Sequence, residues 1–303
     1  MSATSPAAVP SFRSRIGRDA RSGYYAVPHR YRLHLALSCP YGLEIAVTHS
    51  LLGLADLLPV TLLPAVPDAP DGGHLALRPL YDASEHQHRG PAVAPVLSDQ
   101  WTGRIVSTHA PGILRDLARR FGGDGPVLHP CGTEDAVRTV VRLCEQDITA
   151  SAQRAGRADI DPGVRDAALA TLLEALGELE QRLRSHEYVL GDRLTAADVR
   201  LWVTLVQLDT VHRHHLDAAA VHRIADHRRL WAYARRLAEH PSFGTYLDLD
   251  GIARRHHAHC RGEEAAGAAT QIVDWASADA VGAGTRHQCG HAQQGHGQQV
   301  VRR

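Results

Sequence analysis

The spacing of apolar residues in the first third of the chain changes from alternation to a helical period. Residues 31–37 alternate apolar with polar positions, which predicts a β-strand. From Pro40 onward the apolar residues recur at helical spacing, so this proline is expected in the first turn of a helix. The same reasoning predicts a second buried strand over 58–66, a hairpin from 93–97 and 104–107, and a helix over 111–121. The Pro-, Gly- and His-rich stretch between the second strand and the hairpin, about 67–91, is predicted to be an insertion.

Helical periodicity dominates the chain after a Gly-rich linker at 122–126. The clearest of these predicted helices begins at Thr195, whose hydroxyl can cap it while Asp198 reaches back to the helix start. The predicted helices span roughly 133–155, 163–185, 195–214, 219–226 and 228–239.

These patterns predict an α/β thioredoxin-like N-terminal domain followed by an all-α C-terminal domain. The order strand, helix, strand, insertion, strand, strand, helix is that of a thioredoxin-like domain. Too few apolar residues follow position 262 to offset the entropy of ordering that segment. The predicted parts are an extended arm at 1–28, the thioredoxin-like domain at 29–125, the helical domain at 126–262 and a disordered tail at 263–303.

Amino-acid composition limits which partners the protein is expected to bind and which cell compartment it is expected to occupy. Lys+Arg and Asp+Glu are equal at 33 each in 303 residues, so no net charge favours nucleic acid or a lipid surface. No apolar leader and no long apolar run is visible, which indicates a cytoplasmic protein without a membrane segment. The five cysteines form no C-x-x-C pair and are expected to be free thiols.

Cys39 is the candidate nucleophile among these thiols. It lies where a predicted strand ends and a helix begins, and amides at a helix N-terminus stabilise the reactive thiolate. The sequence Cys-Pro-Tyr-Gly is similar to a glutaredoxin site in which Gly42 replaces the resolving cysteine. This favours one-thiol chemistry, in which a mixed disulfide forms and a second small thiol releases it.

Two segments carry a likeness to one enzyme family. Residues 30–41, RYRLHLALSCPY, resemble the R-Y-x-L-x-x-S-x-x-C-P-W stretch of glutathionyl-hydroquinone reductases, the xi-class glutathione transferases. Residues 194–212, LTAADVRLWVTLVQLDTVH, are similar to that family's L-T-E-A-D-I-R-L-F-x-T-L-x-R-F-D-x-V-Y. The resemblance implies a glutathione S-transferase-like dimer that removes glutathionyl groups from hydroquinones reductively through a cysteine mixed disulfide.

The resemblance also implies which residues surround the reacting sulfur. Cys39 would be catalytic, and Pro95 would be the cis-proline that presents the backbone of Ala94 to the thiol. The histidines His256 and His257 stand where the family has tyrosines that line the quinone pocket. The implied thiol-binding residues are Pro40, Tyr41, Ala94, Pro95, Ser107, Thr108 and His109.

Because the sequence departs from the family pattern, the identity of the small thiol that the protein uses stays open. Where the family has a Glu-Ser pair that holds the γ-glutamyl end of glutathione, this chain has His109 and Ala110, which predicts weak glutathione binding. The chain lacks Lys and Asn, whose codons are AA-rich, so a GC-rich bacterial genome is indicated. Mycothiol or ergothioneine on the same scaffold is therefore an alternative to glutathione. A non-catalytic ligand-binding relative is the alternative from another class.

The 21 histidines do not form a recognisable metal motif. One local cluster holds His212, His214 and His215, and another holds His256, His257, His259 and Cys260. Neither cluster has the ligand spacing of a zinc motif, so no metal is expected. A solvated helix end or a pocket lining is the expected role of both clusters.

Overall fold

The computed structural model describes residues 12–86, 88–121, 125–260 and 271–275. A small mixed sheet with helices on it comes first along the chain, and an all-helical part follows. This arrangement confirms the predicted fold class of a thioredoxin-like domain followed by an all-α domain. Within the described ranges, no helix is both long and apolar enough to cross a lipid bilayer.

The sheet has four strands in the order β2-β1-β3-β4. β1 pairs in parallel with β2, with Leu33 opposite Val60, and antiparallel with β3, with Leu33 opposite Leu97. β3 and β4 form an antiparallel hairpin. The strand bounds are β1 Tyr31–Leu35, β2 Val60–Leu62, β3 Val96–Asp99 and β4 Arg104–Ser107.

β2 is shorter and more exposed than the buried strand predicted over 58–66. It is an edge strand of the sheet, and its three residues are half-buried or exposed. Leu62, for example, is 56% exposed. An edge strand presents one face and one side to solvent, so an apolar run alone overstated its burial.

Three helices pack on this sheet, and one of them was missed in the sequence. α2 lies inside the stretch predicted to be an insertion, where prolines and glycines hid its short helical pattern. Tyr81 of α2 is fully buried and its hydroxyl donates to the carbonyl of Val93 at 2.8 Å. The helix bounds are α1 Pro40–Leu51, α2 Arg78–Ser84 and α3 Ala110–Arg120.

The helical part is organised around α7, whose side chains are almost all buried. The predicted capping residues are present, since the amide of Thr195 donates to a carboxylate oxygen of Asp198 at 2.8 Å. The bounds are α4 Glu134–Arg142, a π-helical segment Leu143–Ala150, α5 Ser151–Ala155, α6 Pro162–Arg182, α7 Ala196–Thr210, a 3-10 segment His212–His215, α8 Ala218–Ala225, α9 Arg228–Ala238, α10 Pro241–Gly244 and α11 Leu249–His259.

The described part of the N-terminal arm, residues 12–28, packs on the thioredoxin-like domain. The Arg15 guanidinium contacts the Asp116 carboxylate of α3, with an Nε–Oδ2 distance of 3.0 Å. The amide of Ile16 donates to the same carboxylate at 2.9 Å, and the Ile16 side chain is buried. The arm is thus anchored on α3, at Asp116.

The prediction of a disordered tail is wrong for residues 271–275. Trp275 is fully buried, and its indole Nε1 donates to Asp209 of α7 at 2.9 Å. The amides of Ile272 and Val273 donate to the same carboxylate at 2.9 and 3.1 Å. Asp209 is itself fully buried, so this short segment supplies the donors that its charge requires. The rest of the predicted tail lies outside the described residues.

Candidate active site

Cys39 is the N-cap residue of α1, directly after the turn that follows β1. Its amide donates to the carbonyl of Ala36 at 3.0 Å, and its carbonyl accepts from the amide of Leu43 at 2.9 Å. The side chain is half-buried, so the sulfur is held by a fixed backbone yet not enclosed. The helix start predicted from Pro40 is confirmed, because α1 begins at that proline.

Gly42 occupies the position at which a two-cysteine site would carry its second thiol. A Cβ built at this glycine would lie 2.1 Å from the carbonyl oxygen of Ala36. That approach is far inside van der Waals contact, so no side chain fits there without moving the turn. The fold itself therefore restricts this site to the single thiol of Cys39.

The Ala94–Pro95 peptide bond is cis, as the sequence predicts. Ala94 and Cys39 both pack against one small apolar cluster that contains Tyr81 and Val96. The cysteine and the cis-proline segment therefore border the same small core. This is the arrangement in which the segment's backbone can contact a thiol that is bound to Cys39.

The loop before α3 differs in part from its predicted thiol-binding role. Ser107 is 1% exposed, and its hydroxyl contacts the carbonyl of Phe12 and accepts from the amide of His109 at 3.1 Å. That burial argues against direct contact with a ligand, since the docked arm covers the residue. Thr108, which is half-buried, donates its amide to the same Phe12 carbonyl at 2.9 Å.

His109 caps α3 with its imidazole, because Nδ1 accepts from the amide of Gly112 at 3.1 Å. Burial lowers the pKa of His109, and the positive charges of Arg13, Arg15 and Arg115 lower it further. The residue that replaces a glutamate of the family thus lies in a positive environment. Such an environment disfavours the ammonium of a γ-glutamyl group and favours its carboxylate.

Tyr41, the third residue of the Cys-Pro-Tyr turn, faces a second cavity of about 530 Å³ between the two domains. The guanidinium of Arg200 lies 5.3 Å from the centre of the Tyr41 ring. Arg200 is buried and forms ion pairs with Glu44 at 2.7 Å and Glu145 at 2.6 Å. Tyr41 is thus packed against an ion-pair network that joins the two domains.

A cleft of about 650 Å³ lies between the domains and opens next to the cysteine turn. Ser38 and Pro40, the two neighbours of Cys39, line one side, which we term the cysteine wall. The opposite side, which we term the histidine wall, comes from the 3-10 segment and α11. Its polar residues are His212, His215, Arg255, His256, His259 and Cys260.

The two walls meet at the carbonyl of Ala65. The Ser38 hydroxyl donates to this oxygen at 2.5 Å, and an amino group of Arg255 approaches it at 3.5 Å. On the histidine wall, His212 is half-buried and kept neutral, since desolvation lowers its pKa to about 4 with smaller contributions from His215 and His256.

The two predicted pocket histidines have different positions. His256 lines the cleft, as predicted, whereas His257 is exposed on α11 and is not part of the lining. At about 100° per residue, Arg255, His256, His259 and Cys260 fall on one side of the helix end, and His257 falls outside that side. His212, His215, His259 and Cys260 also line the cleft, which is one of the two roles expected of their clusters, whereas Arg255 was not predicted as a pocket residue. Only the clustering of His212 and Cys260 with other histidines marked them in the sequence.

Two other described cysteines lack the features of Cys39. Cys144 is fully buried in the helical core, and burial raises the pKa of its thiol to about 12. Cys131 is exposed on the surface, outside both cavities. Neither therefore competes with Cys39 for the role of nucleophile in the cleft.

The sequence is similar to known proteins of one enzyme superfamily. Residues 162–236 match the glutathione S-transferase, C-terminal domain family. The chain is 27% identical over 277 residues to glutathionyl-hydroquinone reductase PcpF of Sphingobium chlorophenolicum, covering 86% of each protein.

Solved structures show the same likeness in three dimensions. The glutathione-bound structure of YqjG from Escherichia coli K-12, which is 26% identical, matches with a TM-score of 0.71 and covers 81% of this chain and 87% of that one. A xi-class glutathione transferase from Natrialba magadii, which is 27% identical, matches with a TM-score of 0.72 over 82% and 83% of the two chains. The resemblance inferred from the two sequence motifs is therefore confirmed.

Proposed function

We propose that this protein, similar along most of its length to glutathionyl-hydroquinone reductases and xi-class glutathione transferases, is a thiol-dependent reductase that acts through Cys39. The observation that carries the proposal is the half-buried thiol of Cys39 at the start of α1. It borders the same small apolar cluster as the cis-proline segment, and its two neighbours line an interdomain cleft. Glutathionyl-hydroquinones, on which the named relatives act, are the proposed substrate class.

The proposed reaction has two steps. The Cys39 thiolate attacks the sulfur of the S-conjugate, the carbon–sulfur bond breaks, and its electron pair goes to the ring carbon, which takes a proton. This step releases the hydroquinone and leaves a mixed disulfide between Cys39 and the glutathionyl group. A second thiolate then attacks the glutathionyl sulfur, which regenerates Cys39 and releases the oxidised disulfide.

Glutathione is the proposed thiol. We expect the protein to bind its γ-glutamyl end more weakly than its cysteine end. The segment at Pro95 and the turn at Cys39 would contact the cysteinyl part of glutathione. The far end would meet His109 and Ala110, in an environment made positive by three arginines. The carboxylate of this zwitterionic end would be attracted there and its ammonium repelled, so the ammonium lacks the counter-ion that the family's glutamate supplies.

Turnover of a synthetic glutathionyl-hydroquinone, followed by chromatography of the released hydroquinone, tests the proposal. Wild type and Cys131→Ser should release hydroquinone in the presence of glutathione, whereas Cys39→Ser should not. Mass spectrometry of the wild type with limiting thiol should show the glutathionyl adduct on Cys39. Release by Cys39→Ser at the wild-type rate, or a stable adduct on another cysteine, would refute the role of Cys39.

The identity of the thiol is tested in the same assay. Parallel reactions with glutathione, mycothiol and ergothioneine compare the rates at which each resolves the mixed disulfide. We expect glutathione to support turnover with a high KM. A non-catalytic protein would show no turnover with any thiol, yet it would still bind conjugates in the cleft. Cytoplasmic location and homodimer formation stay predictions of the sequence.

A further inference from the structure

Two histidine clusters that are far apart in the sequence meet on the histidine wall. His215 belongs to the 3-10 segment after α7, whereas His256 and Cys260 lie one turn apart at the end of α11. One ligand atom of each of these residues lies within 4.8 Å of those of the other two. We propose that His215, His256 and Cys260 form a three-ligand site for Zn²⁺ or a chemically similar divalent ion.

The distances suit tetrahedral coordination. With the usual Zn–N and Zn–S bond lengths, a tetrahedral site separates a nitrogen ligand from a sulfur ligand by about 3.5 Å. Cys260 Sγ lies 3.5 Å from His215 Nε2. The rings of His215 and His256 are 5.1 Å apart and inclined at 63°, so they meet edge to face and are not stacked. Small side-chain rotations would bring the remaining ligand atoms from within 4.8 Å to coordination distance.

The donor set selects the class of ion. Imidazole nitrogens and a thiolate favour Zn²⁺ and similar borderline or soft ions, whereas Mg²⁺ and Ca²⁺ require oxygen ligands. Three protein ligands leave a fourth position, as in zinc sites that bind water or substrate. Because all three residues line the cleft, that position would face the cavity beside the cysteine turn.

The surrounding structure holds the ligands in place. The Arg213 guanidinium, in the same 3-10 segment as His215, donates to the Asp209 carbonyl of α7 at 2.8 Å. The amide of Cys260 donates to the carbonyl of His256 at 2.7 Å, which fixes the spacing of these two ligands. A Cβ at Gly156 would lie 2.7 Å from the Cβ of His215, so the glycine leaves room for that histidine.

Metal titration of the full-length, metal-free protein tests the proposal. Co²⁺ should give the near-ultraviolet thiolate-to-cobalt band and the visible bands of a tetrahedral site, with one equivalent bound. Zn²⁺ affinity is measured by competition with a chromophoric chelator. Loss of an outer-shell partner costs ten- to a hundredfold, so removing a ligand through Cys260→Ser or His256→Ala should weaken Zn²⁺ at least about a hundredfold.

Matched controls separate this site from other thiols and histidines. Cys131→Ser changes an exposed thiol elsewhere, and His257→Ala changes the exposed neighbour of a proposed ligand. Both controls should bind Zn²⁺ and Co²⁺ as wild type does. Cys39→Ser should also bind as wild type, which keeps this result independent of the proposed reductase activity.

A subtler variant tests the geometry without removing a ligand. Gly156→Ala places a methyl group against His215 and should weaken Zn²⁺ by about tenfold or more. Thermal unfolding confirms that each variant is folded. A thiolate-to-cobalt band that survives in Cys260→Ser, or equal Zn²⁺ affinity in wild type, Cys260→Ser and His256→Ala, would overturn the proposal.

Discussion

The cysteine wall of the cleft is one continuous turn of backbone, whereas the histidine wall consists of side chains from two segments that the sequence separates. On the cysteine wall, residues 36–43 are tied to one another by local hydrogen bonds at Ala36, Cys39 and Leu43. On the histidine wall, His215 and His256 meet only because α11 packs near the end of α7.

This difference predicts how each wall responds to amino-acid substitution. A turn built from backbone hydrogen bonds can keep its geometry while the side chains around it vary. A wall built from side chains changes its chemistry with every substitution. It also depends on distant contacts, because Asp209 anchors both Arg213 of the 3-10 segment and the buried Trp275. Four perturbations test this contrast.

The largest expected effect comes from removing the distant support of the histidine wall. Trp275→Ala deletes a fully buried indole and the hydrogen bond it donates to Asp209. Burial of this size predicts a loss of about 3–5 kcal/mol in the free energy of unfolding, measured by urea denaturation. Truncation after Trp275 is the control and should change stability little. Equal stability of Trp275→Ala and wild type would mean that residues 271–275 do not support α7.

The next effect concerns the thiol beside the cysteine wall. The variant with both His109→Glu and Ala110→Ser restores a Glu-Ser pair at the γ-glutamyl end. Two charge-assisted hydrogen bonds of about 1.5–3 kcal/mol each would tighten glutathione binding by at least about a hundredfold. Calorimetry on wild type and variant measures it. Tight glutathione binding by wild type, with no gain in the variant, would contradict this account of thiol selection.

A smaller loss is expected from crowding the cysteine turn. Gly42→Ala would force a Cβ against the carbonyl oxygen of Ala36, which the backbone of the turn holds in place. Overpacking of this kind costs about 1–3 kcal/mol. Urea denaturation gives the change, with Gly163→Ala on α6 as a control because it has more room. If Gly42→Ala is as stable as that control, the turn accommodates the Cβ without a measurable cost, which contradicts the prediction.

The smallest effect concerns Cys144, which is fully buried in the helical core. Cys144→Ala should leave turnover unchanged and lower the free energy of unfolding by about 1 kcal/mol, since it trims a packed core side chain. Because burial raises the pKa of Cys144 to about 12, its thiol should resist alkylation at pH 8 in the native protein and react after unfolding. Rapid native alkylation of Cys144, mapped by mass spectrometry, would contradict its burial.

Several elements could be predicted because their signals are local. The strand before Cys39, the helix from Pro40 and the cap at Thr195 follow from residue spacing and end preferences that operate within a few positions. α2 could not be predicted in this way, because Pro79 and the glycines around it are typical of loops. The position of α2 depends on Tyr81, whose side chain is buried by contacts with the rest of the domain.

The sequence alone determined the fold class and the strand-to-helix turn with one candidate thiol, since alternation, helical period and helix-end residues act between neighbours. Only the tertiary structure decided that Ser107 is covered by the arm and that residues 271–275 dock on Asp209. It also decided which histidines face the cleft. The physical reason is that burial and the distance between remote side chains depend on how helices pack, which no local spacing encodes. His215 and Cys260 have ligand atoms 3.5 Å apart although neither sequence cluster has the spacing of a metal site.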